Sequence, residues 1–547
     1  MKTKLNLSGV AFILALLLAL SIRPPTTFAQ GSLTPPGPPQ PTMVTLSQVE
    51  PRIPIFVLPW VITTPGSYYV TTNLSPGVNY SGIVVAANNV TIDLNGFTLS
   101  GGGGSSGEGI WASSAIQNLV IRNGTVRNWP GSGVNLYDSG SSQVTVQNIQ
   151  SISNGFTGFA VKNGSRVTDC LAVGNGIRGI LVDNDCLVEH CKAAGNGTLG
   201  IGAMANCQLR YNQSTGNGTG LSITGTSNLV SGNIVVWNTT NYSIVPGNQL
   251  DLLLSQVPET ISWPAKVKLT GSMSVTSGNA ITINTSNVTI DLNGFTLSST
   301  ENPAASGSGI LLNGPFQNIA IANGFIQGNV LDNGSGGYSG SGFGYGINAT
   351  NNLTANVRVR DISVAGCRYY GIYLYPNATV AESCTVRTVG SYGIVADTVK
   401  NSSATDCGNN AIDGNQVSDC RGQTSFMGYG IYAFTAQNCY GLAGVGGGGV
   451  YAGCAQNCYA NGGVGLVATT ALNCTAYGTI GLGLNATVAQ NCFAYSMGSP
   501  GLNATMAQNC YGYSSAGTGI IAFIASFCHG DTGTGTPLNV NHNFNSY

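Results

Sequence analysis

The chain has 547 residues, of which only 7 % are charged, and a formal net charge of −1. This balance excludes the basic footprint of a nucleic-acid binder and the polybasic patch of an anionic-membrane binder. Gly is abundant at 78 residues, but 42 % hydrophobic content in regular alternation excludes a disordered chain.

Lys2 and Lys4 precede an apolar core from Val10 to Leu20, and Thr27-Phe28-Ala29 supplies small residues for a signal peptidase. Residues 1–29 are therefore expected to be a signal peptide cleaved after Ala29. The run is short for a membrane span of roughly 20 residues, so no membrane insertion is expected after cleavage, and the protein is expected to be secreted or at the cell surface. Residues 30–42 are a Pro-rich, extended linker. The stretch Thr45 to Leu74 mixes apolar residues with Pro and is expected to cap the open end of the repeats downstream of it.

Asn89-Val-Thr-Ile-Asp-Leu-Asn-Gly-Phe-Thr-Leu-Ser100 recurs identically at Asn287–Ser298. Leu46-Ser-Gln-Val49 returns as Leu254-Ser-Gln-Val257, and Asn123-Gly124 as Asn323-Gly324. The chain is internally duplicated, with an N-terminal half over 43–249 and a C-terminal half over 250–547. Within each half, Gly-led units recur: Gly133, Gly158, Gly179, Gly200 and Gly220, then Gly346, Gly371, Gly393 and Ala411. From Gly430 to His529 the pattern tightens. Gly430, Gly449, Gly465, Gly483, Gly501 and Gly519 are each followed nine residues later by a Cys, from Cys439 to Cys528. A fixed short period means a solenoid whose repeats contact only their neighbours. Strict alternation after each opening, as in Gly-Ile-Leu-Val-Asp (179–183), means strand, with the first and third positions inward and the second and fourth outward. Asn-Gly and Gly-Asn pairs supply the bends, which also accounts for the many Asn-x-Thr triplets. Short strands without a helical stretch fit an all-β parallel β-helix, with pairing between successive coils.

Fifteen Cys in an exported chain suggest disulfides, but one Cys per coil at constant phase suggests an internal ladder of free thiols. Stacked Cβ vectors are parallel, a poor start for a disulfide dihedral. Cys186 and Cys191 fall outside that phase and are the better disulfide candidates. Cys454 and Cys458 form a lone C-x-x-x-C, weak as a metal motif.

The Ile-Asp-Leu-Asn-Gly-Phe opening, the signal segment and the short Gly-Ile/Asn-Cys coils resemble secreted bacterial right-handed parallel β-helix proteins of the pectate-lyase-like superfamily. The resemblance implies a right-handed coil and polysaccharide binding or cleavage. No catalytic motif of a lyase or polygalacturonase is visible, so it assigns no catalytic residue.

The densest ionisable cluster is Asp183, Asp185, Glu189 and His190, with Arg178 just before the strand and Lys162 one coil earlier. Asp183 and Asp185 are candidate Ca²⁺ ligands through carboxylate oxygen. With Lys162 or Arg178 as base, such a site supports β-elimination of a uronate; two carboxylates alone support hydrolysis. The plainer alternative is that 183–185 is a turn and Glu189-His190 a solvated edge. In the second half the outward positions are aromatic: Tyr373, Tyr432 and Tyr451, with Tyr375 and Phe434 alongside, and a second stripe from Tyr440 to His529. Such a row suits stacking on sugar faces, with Asp397 and Asp413 as polar partners. The same rings can instead stack on one another or dock another chain. The expectation is an exported protein that recognises, and in one reading processes, an extracellular polysaccharide. The alternative is a non-catalytic surface or matrix rod.

Overall fold

The computed structural model describes residues 51–304 and 306–547, and the chain divides into the units Met1–Arg52 and Ile53–Tyr547. The signal segment 1–29 and the linker 30–42 lie outside the described residues. The second unit is a parallel solenoid of about 23 turns. Among the described residues no helix is long and apolar enough to cross a membrane.

A turn in the first half lays down three short strands. One face is a nine-stranded sheet that runs from Trp60–Ile62 through Ile83–Val85, Ile110–Ala112, Val134–Asn135, Thr157–Val161, Arg178–Val182, Leu199–Ala203 and Thr219–Ile223 to Thr240–Ile244. The other two faces are often written by one bent strand. Leu119–Arg127 pairs by its first part with Val90–Asp93 and by its second with Thr98–Ser100. Alternation keeps the register in phase: Ile92, Ile121 and Val146 pair in succession and all point inward. Among the described strands only Asn329–Asp332 and Tyr338–Ser341 pair antiparallel, as a hairpin.

Three sequence signals acquire physical causes. The opening Gly is a close approach between turns. A Cβ at Gly179 would stand 2.6 Å from the Gly200 carbonyl oxygen and 2.8 Å from Asn196 Nδ2, both far inside contact distance. The amide met there belongs to a column of Asn154, Asn175, Asn196, Asn217 and the half-buried Asn238, the first four buried, in which each Nδ2 donates to the next Oδ1 at 2.9 Å. The Asn-Cys pair is a bend followed by an inward thiol. Asn438, Asn457, Asn473, Asn491 and Asn509 all have φ between 52° and 54°, a left-handed conformation that Asn tolerates. The duplicated Asn-Gly serves one purpose twice. A Cβ on Gly124 would meet Leu94 Cβ at 2.4 Å, and one on Gly324 would meet Leu292 Cβ at 2.4 Å.

Two expectations are corrected. The cap expected over Thr45–Leu74 is already coil from Ile53 on: Ile53–Ile55 pairs with Gly66–Val70, and Trp60–Ile62 with Ile83–Val85. Cys186 and Cys191 are not paired, for all fifteen thiols are free. They sit on different bends. Cys186 N–H donates to Cys207 Sγ of the next turn at 3.4 Å, and Cys191 Sγ donates to the Val167 and Glu189 carbonyls. Burial pushes the Cys384 and Cys420 thiols up to about 11, which keeps them protonated and unreactive at neutral pH.

Backbone pairing continues through the boundary at 249/250. Leu229–Val236 pairs with Gln249–Leu254, which pairs with Ala265–Leu269. On the nine-stranded face the ladder stops at Thr240–Ile244. Side chains span the gap: Asn241 Nδ2 donates to Glu259 Oε2 at 3.1 Å, and Tyr242 packs edge-on against Trp263. The ladder resumes with Glu259–Ile261 on Ile281–Ile283.

Candidate functional site

A groove of about 730 Å³ lies on the nine-stranded face. Its floor is made of second-position residues of successive strands, Asn135, Ala160, Leu181, Gly202 and Ser222. Ala160 and Gly202 are small and flank Leu181, whose Cδ1 lies 3.2 Å from where a Gly202 Cβ would stand. Fourth-position residues Tyr137, Met204 and Thr224 form one rim, as alternation from the opening Gly predicts. Glu108, from the segment before Ile110–Ala112, and Asp138, just after Tyr137, complete the lining together with Arg178 and Phe156.

Glu108 and Asp138 are the chemically notable pair. Asn135 Nδ2 donates to Glu108 Oε1 at 2.8 Å and to Asp138 Oδ2 at 2.6 Å. One amide nitrogen thus holds both carboxyl groups close together. Burial pushes the Glu108 carboxyl above its ordinary value; the Asn135 hydrogen bond opposes this and the Asp138 charge adds to it. Like charges so near resist joint ionisation. The same three residues also line a second hollow of about 420 Å³ with Trp111 and Ser113. The carboxyl pair therefore stands on the divide between two hollows.

Of the residues singled out from sequence, Arg178 lines the groove, and Lys162 and Asp183 lie behind its Tyr137 rim. Lys162 Nζ sits 5.0 Å from the Tyr137 ring centroid and 4.0 Å from Asp183 Oδ2. Burial, then the Asp183 charge, pushes the Tyr137 hydroxyl up. Asp183 is 7 % exposed, and its other oxygen accepts from Asn184 Nδ2 at 2.9 Å. Asp185, Glu189 and His190 are not brought to the groove. Asp185 is a left-handed bend residue with φ 59°. Glu189 belongs to Leu187–Glu189 on another face, where Arg210 pairs with it at 3.3 Å. His190 is a bend residue with φ 53° and stacks on Tyr211 at 5.6 Å. Asp183 and Asp185, the expected Ca²⁺ ligands, do not converge on one point: Asp183 lies behind the groove rim and Asp185 on a bend. The place a cation would take beside Asp183 holds the Lys162 ammonium, and no group of three His, Cys, Asp or Glu suited to a metal occurs among the described residues.

Sequence reasoning missed Glu108, Asn135 and Asp138. Asn135 carried a signal, as the outward second position after Gly133. Glu108 would have been found had Gly109 been read as a coil opening. The second half lacks the pair. Ile310 aligns with Ile110 in the duplication, and Ser308 stands where Glu108 does, at the start of Ser308–Leu312. Strand Tyr345–Ala349 keeps Asn348 at the place of Asn135, followed by Asn351 in place of Asp138.

The aromatic stripe differs from a flat row of open ring faces. Tyr432 and Tyr451 stack with centroids 4.9 Å apart and planes 7° apart; Tyr440 and Tyr459 stack at 4.6 Å and 7°. Phe493–Tyr511 and Tyr495–Tyr513 do likewise. Rings stacked along the solenoid spend their faces on one another and turn edges outward. Tyr373 and Tyr375 meet edge-to-face at 5.3 Å in a cluster with Tyr370. Tyr432, Phe434 and Tyr451 instead share a separate groove with Asp413 and Asn415.

Residues 63–239, less than half of the chain, match the family model described as the right handed beta helix region. The fold is a right-handed parallel β-helix. No curated protein matches the chain. Two solved structures are similar over 89 % of its length. The pre-mature bacteriophage phi29 gene product 12 is 11 % identical, with 69 % of that chain covered and a TM-score of 0.25. The N-terminal fragment of the same gene product is 12 % identical, with 88 % of that chain covered and a TM-score of 0.20. At these scores the superpositions carry no argument about this β-helix.

Proposed function

We propose that the protein is an exported polysaccharide-processing β-helix whose groove on the first half hydrolyses a glycosidic bond. The observation that carries this is the Glu108–Asn135–Asp138 arrangement, two carboxyl groups tied to one amide on the divide between two hollows. Glycoside hydrolysis needs one carboxylic acid to protonate the leaving oxygen and one carboxylate to act at the anomeric carbon. Burial that raises a carboxyl above its ordinary value suits it to the acid role. Glu108, pushed up by burial, suits the acid, and Asp138 suits the carboxylate. Arg178 at the rim offers a counter-charge to an acidic sugar. The stacked Tyr and Asn columns of the uncharged distal turns favour a spacer role for that part of the rod.

The test is a reducing-end assay of the purified chain on a panel of polysaccharides, acidic and neutral, with E108Q alongside. General acid catalysis contributes about 10²–10⁴-fold, so E108Q should lower kcat by about that factor. An E108Q rate equal to wild type overturns the assignment. Ultraviolet absorbance of an unsaturated uronate product would replace hydrolysis with elimination.

A further inference from the structure

The second half carries its own groove of about 440 Å³, lined by Asp413, Asn415, Tyr432, Phe434, Val467 and Thr469 among others. It lies on strands Ile412–Ser418, Tyr429–Gln437, Gly448–Gln456 and Val464–Leu472. It shares no lining residue with the Glu108 groove.

Phe434 differs from the other rings of the stripe. It is 73 % exposed, and no ring stacks on it among the described residues. Its register partner in the next turn is Gly453, since Ala433 pairs with Ala452 and Thr435 with Cys454. A Cβ at Gly453 would stand 3.4 and 3.5 Å from the Phe434 Cδ2 and Cε2 atoms. The missing side chain at Gly453 leaves room beside the Phe434 ring, which stays largely exposed to the groove. Tyr432 and Tyr451 stack on each other and Tyr429 packs against both, so they are about half as exposed as Phe434.

The polar groups beside the ring are held in place. Asn410 Nδ2 donates to Asp413 Oδ2 at 3.1 Å, and Asn415 Nδ2 donates to Asp397 Oδ1 at 2.7 Å. Burial pushes the Asp413 carboxyl up, with the Asn410 bond opposing. No Lys, Arg or His lines this groove, whereas Arg178 lines the other. A uronate would meet Asp413 with no counter-charge. A neutral pyranose would lay its C–H face on Phe434 and bring its hydroxyls to Asp413 and Asn415.

We infer that the Phe434 groove is a second, non-catalytic site that binds a neutral glycan chain. This narrows the sugar-binding expectation for Tyr432, Phe434 and Tyr451 to one stacking ring, with the two tyrosines as a wall. It stands apart from the hydrolytic reading, because a binding measurement reads it without turnover at Glu108.

The test is titration calorimetry of the whole purified chain with cellohexaose, xylohexaose, mannohexaose and hexagalacturonate. At least one neutral hexasaccharide should bind the wild type, and F434A should weaken it tenfold or more. G453A provides a second variant, whose added methyl would stand 2.9 Å from the Phe434 carbonyl oxygen, so that it should displace Phe434 and weaken the same ligand. The inference is overturned if no neutral hexasaccharide binds. It is also overturned if F434A and G453A bind like wild type, or if only hexagalacturonate loses affinity in F434A.

Discussion

Truncating Asn196 to Ala tests whether the buried amide column holds its turns of the solenoid together. Asn196 is 2 % exposed. Its Nδ2 donates to Asn217 Oδ1 at 2.9 Å and to the Ala172 carbonyl at 3.1 Å. Its Oδ1 accepts from Asn175 N–H at 3.1 Å and from Asn175 Nδ2 at 2.9 Å. In the variant the Asn175 N–H is stranded, at a cost of about 2 kcal/mol. The other three bonds count at the low end, about 0.5 kcal/mol each, because Asn217 Oδ1 keeps the Asn196 N–H and Asn175 Nδ2 keeps the Ser151 carbonyl. The expected loss is about 3.5 kcal/mol, or about 400-fold in a local opening equilibrium. Solenoid stability is a sum of neighbour terms, so the loss should stay near turns 171–220. Native-state hydrogen exchange resolves this turn by turn. Protection over Lys192–Ala194 should fall by about that factor while Val464–Leu472 stays unchanged. A fall under about tenfold, or an equal fall in the distant turns, would refute the column as a local clamp.

The same geometry sets four further outcomes. Glu108 has a raised folded pKa, so its stability contribution is full below the ordinary carboxylate range and is lost as pH rises through the raised value; E108Q should therefore gain Tm relative to wild type on going from about pH 4 to about pH 7, and an unchanged difference would contradict the shift. In D138N, a carbon-detected titration of Glu108 should move down but stay above an ordinary Glu, because burial outranks the Asp138 charge; no movement would mean the two groups do not sense each other. G179A, which drives a Cβ to 2.6 Å from the Gly200 carbonyl oxygen, should cost about 1–3 kcal/mol in urea melts, whereas G498A, with nothing within 4 Å, should be neutral or slightly stabilising. A thiol reagent should label little beyond the half-buried Cys454 in the native protein and all fifteen cysteines in denaturant without reductant; missing thiols in denaturant would mean disulfides.

Much of the fold is legible because it is written locally and repeatedly. The opening Gly, the alternating strand and the Asn-Cys bend each report on contacts one turn away, and one turn is a nearly constant number of residues. Gly179 against Gly200 and Asn196 shows the link: periodicity predicts the neighbour, and the neighbour explains the residue. The duplication was legible for the same reason, since Gly124 and Gly324 answer the same Leu side chain in each half. The cap was misjudged because Pro near Ile53–Ile55 suggests irregular chain, while parallel pairing with Gly66–Val70 absorbs it.

The site was less legible, because charge density along the chain is a poor guide to convergence in space. Asp183, Asp185, Glu189 and His190 are close in sequence, yet the bends at Asp185 and His190 distribute them over different faces. Glu108 and Asp138 are far apart in sequence and are joined by the pairing of Ile110–Ala112 with Val134–Asn135. Ring orientation was equally hidden. Spacing placed Tyr432 and Tyr451 one above the other, but only packing decided that their faces meet. By itself the sequence determined the solenoid, its period, its inward and outward positions and the constant phase of its cysteines, because each depends on nearest-neighbour turns. The tertiary structure alone decided which outward groups share a groove, which carboxyl is pushed up and which aromatic face stays open, because those depend on loop paths, burial and side-chain rotamers that no period encodes.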